Sequence, residues 1–172
     1  SFSDVRKFLT LHEDINIDSE QNKRIIPFAY AYRILFEEAD FIAVMDCPCK
    51  MTLKAPAWTI NSCLSIGRKT SQFWLDHCGE KYHARRISPE DALDLIRKFR
   101  QHGYITQAFF KVATGGSTGI ICNCHPDTCV SLQATSFARR FSPDLTMNAD
   151  SGYATYHRDE ACRHCGTCAQ VC

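Results

Sequence analysis

The stretch SPEDALDLIRKFRQHGYITQAFFKVA, residues 88–113, places a helix directly before a strand and so decides the fold class. Ser88 is placed to cap the helix, Pro89 suits its first turn, and Gly103 suits its end. The residues predicted to face the core are Ala92, Leu95, Ile96 and Phe99. Residues 104–113, YITQAFFKVA, are then predicted to form a strand.

The flanking sequence adds strands and helices on both sides of this stretch. Residues 41–49, FIAVMDCPC, and residues 119–124, GIICNC, are short apolar runs that predict strands. A turn at 114–119 would join the second of these strands to the strand at 104–113. The ranges predicted to be helical are 25–39, 68–77 and 131–140, whereas 50–63 has no clear period. The predicted class is therefore α+β, with a mainly helical, cysteine-rich body and a small β-hairpin.

Eleven cysteines among 172 residues are the outlying feature of the composition. A disulfide framework is disfavoured because the count is odd and because the CPC and CNC pairs are too closely spaced to bridge comfortably. Metal ligation by thiolates in a reducing compartment fits better, so we expect a cytoplasmic protein. The net charge of +1 argues against nucleic-acid binding, and no apolar run reaches the length of a membrane span.

The run CRHCGTCAQVC at 162–172 has the spacing C-x2-C-x2-C-x3-C. A tight loop with this spacing delivers several thiolates to one [4Fe–4S] cluster, and Gly166 lets the backbone turn close to it. A zinc site more often uses two ligand pairs separated by a longer insert. The predicted cluster ligands are Cys162, Cys165, Cys168 and Cys172, and we identify no catalytic residue.

Most of the remaining cysteines follow the predicted strands in the body of the chain. The body metal ligands predicted from this placement are Cys47, Cys49, Cys63, Cys122, Cys124 and Cys129. They would form one site or two, holding a second Fe–S cluster or, as the alternative, zinc. Cys78 and His125 are further candidates. A lone cysteine is often a small buried hydrophobe, and a histidine beside such a loop usually supports a ligand.

These motifs resemble those of a known class of proteins. Residues 153–172 look like one half of a bacterial-type ferredoxin, although the proline that usually follows the last cysteine is missing. The body motifs that carry a second likeness are CPCK (47–50), CL (63–64), the SPEDAL helix ending in HGYITQ (102–107), and IICNC (120–124). Together they are similar to 4Fe-4S ferredoxin-type proteins of anaerobes, which carry a cysteine-rich N-terminal helical domain ahead of a ferredoxin domain.

This chain departs from that pattern at a few positions in the body. Lys50 stands where an arginine is usual, and His125 stands where a further cysteine often lies. No cysteine lies between Cys49 and Cys63. The resemblance implies a cysteine-rich metal-binding body at 1–142 and the start of a ferredoxin-type [4Fe–4S] domain at 143–172. Because the chain stops at Cys172, we expect the natural protein to continue.

The expected function is single-electron transfer between redox partner proteins. The electrons would pass through the C-terminal cluster and, if a second cluster is present, through the body. Two alternatives stay open. The chain could be an iron–sulfur subunit of a larger reductase, or a metal- or redox-sensing regulator in which helix 88–102 and the following hairpin form a winged-helix-like segment.

Overall fold

Six strands form one antiparallel sheet in the computed structural model, which describes residues 24–26, 28–110, 118–145 and 158–171. The strands are β1 (Arg24–Ile25), β2 (Ile42–Asp46), β3 (Asn61–Ile66), β4 (Arg85–Arg86), β5 (Ile105–Phe110) and β6 (Thr118–Cys124). Their order across the sheet is β1-β5-β6-β3-β2-β4. Strand β3 therefore lies between β2 and β6, although β6 follows it in the chain by more than fifty residues.

Helices surround this sheet and confirm the α+β class. They are α1 (Phe28–Arg33), α2 (Pro48–Thr52), α3 (Ala57–Ile60), α4 (Arg68–Tyr82), α5 (Pro89–Gln101), α6 (Val130–Ala138) and α7 (Thr167–Val171). A π-helical turn, Ile34–Glu38, continues α1, and 3-10 turns lie at Pro126–Thr128 and Asp159–Ala161. Within the described ranges, none of these helices has the length and apolarity needed to cross a membrane.

Helix α5 forms as its sequence predicts. The Ser88 hydroxyl accepts a hydrogen bond from the Asp91 backbone N–H at 3.0 Å, which satisfies one of the free donors of the first turn. Gly103 follows the helix with a φ of 78°, a left-handed conformation that glycine adopts without strain. The buried residues of the helix are Ala92, Leu93, Ile96 and Phe99. Leu93 thus takes the place predicted for Leu95, which is only partly buried.

The two faces of the sheet have different chemistry because successive side chains point to opposite sides. One face carries Val44, Leu64 and Ile121, which are cross-strand partners and pack against α1 and α5. Burying a side chain such as that of Leu64 contributes about 1.5–3 kcal/mol to stability. The opposite face carries Met45 and Cys63, and Trp74 and Tyr82 of α4 pack against them.

The β-structure is larger than the small hairpin that the sequence predicts. Strands β5 and β6 do pair as a hairpin, but β1 flanks β5 and β3 flanks β6. The predicted helix 25–39 begins instead with β1, because Arg24 and Ile25 pair with β5. Residues 111–117 of the predicted strand and turn lie outside the described residues.

The other differences in the body lie at element ends. Strand β2 stops at Asp46, and Pro48 starts α2, so the CPC motif is a strand-to-helix junction rather than part of the strand. The segment 50–63 holds α3 and the start of β3, which pairs with β2. Helix α4 continues past residue 77 to Tyr82, where His83 ends it with a φ of 46°.

Candidate metal centre

The fold brings the six body cysteines predicted as ligands to three neighbouring strands and the elements that follow them. Cys47 follows β2 and Cys49 lies in the first turn of α2, whereas Cys63 lies within β3. Cys122 and Cys124 end β6, and Cys129 precedes α6. Four of them are buried, namely Cys47, Cys63, Cys124 and Cys129, and all six are free of disulfides. Cysteines from segments far apart in the sequence thus lie on, or next to, neighbouring strands.

Four of these thiols form a hydrogen-bonded row. The Cys47 thiol hydrogen-bonds with those of Cys49 and Cys63, and Cys63 in turn hydrogen-bonds with Cys122. Cys63 and Cys122 can meet because Leu64 and Ile121, their chain neighbours, are cross-strand partners. At the other end of the row, Cys49 also interacts electrostatically with Cys129.

The row concentrates negative charge at one sulfur. Hydrogen bonds from Cys49 and then from Cys63 hold the pKa of the Cys47 thiol far below its usual value. The same contacts raise the pKa of its partners: the hydrogen bond to Cys47 and burial act on Cys49, and hydrogen bonds to Cys122 and Cys47 act on Cys63. The hydrogen bonds of the row therefore favour the thiolate form of Cys47.

A buried lysine lies next to the row, and the sequence gives no sign of its position. Lys50 is 1% exposed, and its Nζ donates to the Thr59 carbonyl oxygen at 3.0 Å and to Ser62 Oγ at 2.8 Å. The same Nζ lies 4.3 Å from the centre of the Phe99 ring and 4.7 Å from that of Tyr104. Burial lowers the Lys50 pKa, and negative charge on the thiols of the row, Cys47 first, opposes that shift.

In the part of the chain that the structure describes, three polar side chains near the cysteine strands have buried atoms without a hydrogen-bond partner. Gln107 is fully buried, both ends of its amide are unpaired, and its cross-strand partner is Cys122. The Asn123 Oδ1 and the Thr128 Oγ1 are also unpaired, next in sequence to Cys122 and Cys129. Buried polar atoms normally have partners, so these atoms and the thiol set fit a bound group that supplies them.

An aspartate–histidine pair lies at the edge of the thiol row. The buried Asp46, next to Cys47, lies 2.6 Å from His83 Nδ1 through its Oδ2, and its Oδ1 accepts from Asn61 Nδ2 at 2.9 Å. The His83 side chain is 76% exposed. Its left-handed backbone at the end of α4 turns it toward β2, a position that hydrophobic periodicity cannot reveal.

The two further candidate ligands, Cys78 and His125, are not part of the thiol row. His125 Nδ1 accepts from the Asp127 backbone N–H at 3.3 Å, and its ring packs on Tyr104. His125 thus caps a 3-10 turn beside the ring that contacts Lys50. Cys78 is half-buried on α4, but it is not among the side chains packed against Met45, Cys47 and Cys63.

The C-terminal cysteines lie in a tight loop that leads into α7. The His164 backbone N–H donates to Cys162 Sγ at 3.4 Å, and Cys165 Sγ lies 3.3 Å from Thr167 Oγ1. The hydrogen bond from Thr167 lowers the Cys165 pKa. Two left-handed residues, His164 and Gly166, turn the loop. Cys165 and Cys168 are exposed, and Cys172 lies outside the described residues.

In the described ranges, no three or more His, Cys, Asp or Glu side chains are already set around a point where they could hold a metal ion. Four body thiols instead hydrogen-bond with one another, and Cys162 and Cys165 have local partners in the C-terminal loop. No family model, curated protein or solved structure matches the chain. No similarity to a protein of known function therefore bears on either group of cysteines.

Proposed function

We propose that this chain is an iron–sulfur electron-transfer protein of the ferredoxin type, with cysteines at two places as ligands. Cys162, Cys165 and Cys168, together with Cys172, would hold a [4Fe–4S] cluster, and the body cysteines would hold a second metal–thiolate centre. The observation that carries the proposal is the convergence of the body thiols from β2, β3 and β6. When bound, such clusters exchange single electrons with partner proteins.

Support for the C-terminal cluster comes from its spacing and from its loop. The backbone N–H of His164 already donates to Cys162 Sγ, and such bonds stabilise thiolate sulfur and tune a cluster's potential. The lowered pKa of Cys165 favours the thiolate that ligation needs. Exposure of Cys165 and Cys168 would leave this centre close to an approaching redox partner.

Support for a body centre comes from the kind and number of its thiols. Isolated buried cysteines behave as small hydrophobes, whereas here four thiols hydrogen-bond in a row beside a buried lysine. The four thiols of the row and Cys129, which acts on Cys49, make five candidate ligands, more than the four that one tetrahedral zinc ion takes, which favours a polynuclear cluster. Binding would require the thiols to exchange their mutual hydrogen bonds for a shared metal.

The chain's own residues would shield and balance such a centre. Trp74 and Tyr82 cover the sheet face that carries Cys63 and limit access of water from the side of α4. Lys50 supplies a positive charge, and Gln107 supplies amide hydrogens that have no partner among the described residues. The net charge of +1 suits docking to redox partners through local patches rather than long-range steering.

Anaerobic iron and sulfide analysis with EPR on the reduced protein tests the proposal. The chain with Cys162→Ser and Cys165→Ser should lose the C-terminal cluster and keep the body centre, and the chain with Cys47→Ser and Cys63→Ser should do the reverse. Cys78→Ser is the matched control and should keep both. Zinc without acid-labile sulfide in the first variant would overturn the body cluster. Loss of all reducible iron in that variant would show that the C-terminal cluster is the only cluster.

The Asp46–His83 pair favours a second candidate, a reductase subunit whose body centre acts on a substrate. A carboxylate that orients an exposed imidazole is a common way to move protons at a reaction site. Under this candidate, azide or cyanide should perturb the EPR signal of the body centre by binding an open metal position. An unchanged signal would favour the pure electron carrier.

The winged-helix alternative gains no support from the sheet. A wing is a hairpin that projects from its domain, whereas β5 and β6 both lie in the interior of the strand order. Salt-dependent binding of duplex DNA would revive this alternative and count against the electron carrier.

A further inference from the structure

We propose that Lys50 is the built-in countercharge of the body metal–thiolate centre and sets how tightly that centre holds its metal. This inference rests on the body centre proposed above and assigns Lys50 a positioning and charge-balancing role, not a role as a ligand. Lys50 directly follows Cys49 in α2, yet its side chain turns inward and is 1% exposed.

Every group around the Lys50 Nζ suits a cation. The Thr59 carbonyl oxygen can only accept a hydrogen bond, and the Ser62 hydroxyl has a backbone acceptor of its own in the Ile60 carbonyl oxygen at 3.3 Å. Ser62 Oγ is therefore free to accept from Lys50 at 2.8 Å. The ring faces of Phe99 and Tyr104 complete the surroundings with the negative side of their π systems. The geometry is that of a held ammonium group.

A buried ammonium strongly destabilises a folded chain unless a negative charge offsets it. Among the described residues, Lys50 forms no ion pair with a carboxylate, and the ion-paired aspartates are all engaged by arginine or histidine. Lys50 instead follows Cys49 in the chain, and its Nζ is held by Ser62, the residue before Cys63. A metal–thiolate centre carries net negative charge and fills this role.

The hydrogen bonds around Lys50 also tie the cysteine segments together. Lys50 binds Ser62, the residue before Cys63, and the Ser62 carbonyl oxygen accepts from Asn123 Nδ2 at 3.0 Å. Asn123 lies between Cys122 and Cys124. One network thus links α2, β3 and β6, which carry Cys49, Cys63 and Cys122. Lys50 fixes the spacing of these elements as well as the charge between them.

The test compares Lys50→Met with the unchanged lysine in a full chain that also carries Cys162→Ser and Cys165→Ser, so that only the body centre is seen. Anaerobic titration with Co²⁺ against a chelator, followed by thiolate charge-transfer absorption, should show affinity falling about 10- to 100-fold in Lys50→Met, the usual effect of losing an outer partner of a metal site. The reconstituted cluster should also become harder to reduce. Lys54→Met, at a nearby exposed lysine, is the matched control and should change neither quantity.

The following results would overturn the role of Lys50. Metal binding and potential that are the same with methionine as with lysine would overturn this role alone. Failure of the lysine-bearing chain to bind Co²⁺ or iron would overturn the body centre and this role together. If Lys50→Met does not fold, Ser62→Ala carries the test, because it keeps the cation and removes the hydroxyl that positions it. A few-fold loss of Co²⁺ affinity is then expected, and unchanged affinity would contradict the role.

Discussion

At the scale of single residues, some members of the candidate site can be predicted from the spacing of residues in the sequence. Others can be identified only once the register of the paired strands is known. Four body cysteines, those of CPC and CNC, can be placed at strand ends from the sequence because each motif follows an apolar run. Gln107 cannot be predicted, because its meaning depends on its lying opposite Cys122. Lys50 cannot either, since a lysine beside two cysteines is ordinarily exposed. Gln107 and Lys50 lie at the candidate site because of how distant segments pack in the fold, which the local sequence pattern does not show.

Replacing Gln107 with methionine should have opposite effects on the metal-free and metal-loaded chains. Without metal, the change removes two unpaired buried polar atoms and should stabilise the fold by about 1–3 kcal/mol. With metal, it should lower stability because a donor to cluster sulfur is lost. Thermal melts of both forms, followed by circular dichroism, measure the difference. Equal stabilisation of both forms would show that Gln107 does not contact the bound group.

The hydrogen bond between Thr167 and Cys165 should control the reactivity of that thiol in the metal-free chain. Because the bond lowers the Cys165 pKa, Thr167→Val should raise that pKa and leave less thiolate at pH 7. Alkylation of Cys165 by iodoacetamide should slow a few-fold, and the difference should vanish as the pH rises above the usual thiol pKa. Peptide mass spectrometry follows the rate, with Cys78 as the internal reference. An unchanged rate at Cys165 would contradict the role of Thr167.

At the scale of elements, predictability follows the strength of the local signals. Helix α5 has a cap, a first-turn proline, an amphipathic face and a terminal glycine that agree with one another. The segment 50–63 lacks local signals that agree with one another. Lys54 adopts a φ of 51°, which is unusual for a residue other than glycine, and Pro56 precedes α3. Its strand β3 is held by neighbours on both sides rather than by its own pattern.

The cap of α5 offers a direct test of this helix. Ser88→Ala should destabilise the protein by about 1 kcal/mol, because the Asp91 N–H then lacks an acceptor. For a chain of this size the melting temperature should fall by about 2–4 °C. Ser88→Asp keeps an acceptor and should melt close to the unchanged protein. Equal losses in both variants would show that the hydroxyl acts by some means other than capping.

At the scale of the whole molecule, the candidate metal centre depends on strand order. The central pair β3–β6 joins Asn61–Ile66 to Thr118–Cys124, and the residues between them supply two other strands, β4 and β5, and the helices α4 and α5. A hairpin prediction for β5 and β6 places two cysteines correctly but gives no reason for β3 to pair with β6. That choice follows from burying Leu64 against Ile121, which requires the complete fold.

The proposed body metal, whose ligands would come from the end of β2, from β3 and from β6, should be coupled to folding of the whole sheet. A ligand that binds only the folded state stabilises it by about 2.7 kcal/mol at one hundred times its dissociation constant. Removing the body metal with a chelator should therefore lower the melting temperature of the sheet by several degrees. The chain with Cys162→Ser and Cys165→Ser should melt like the unchanged chain while its body metal is retained.

The body metal and the C-terminal cluster are expected to affect the melting temperature differently because of the sequence distance between their ligands. The described C-terminal cysteines lie within seven residues and cross-link no strands. Anaerobic calorimetry on both chains, before and after chelation, measures the two effects separately. A melting temperature that falls with the C-terminal substitutions, and not with removal of the body metal, would reverse the assignment. The stabilising centre would then be the C-terminal cluster, and the row of body thiols would be a packing feature of the sheet.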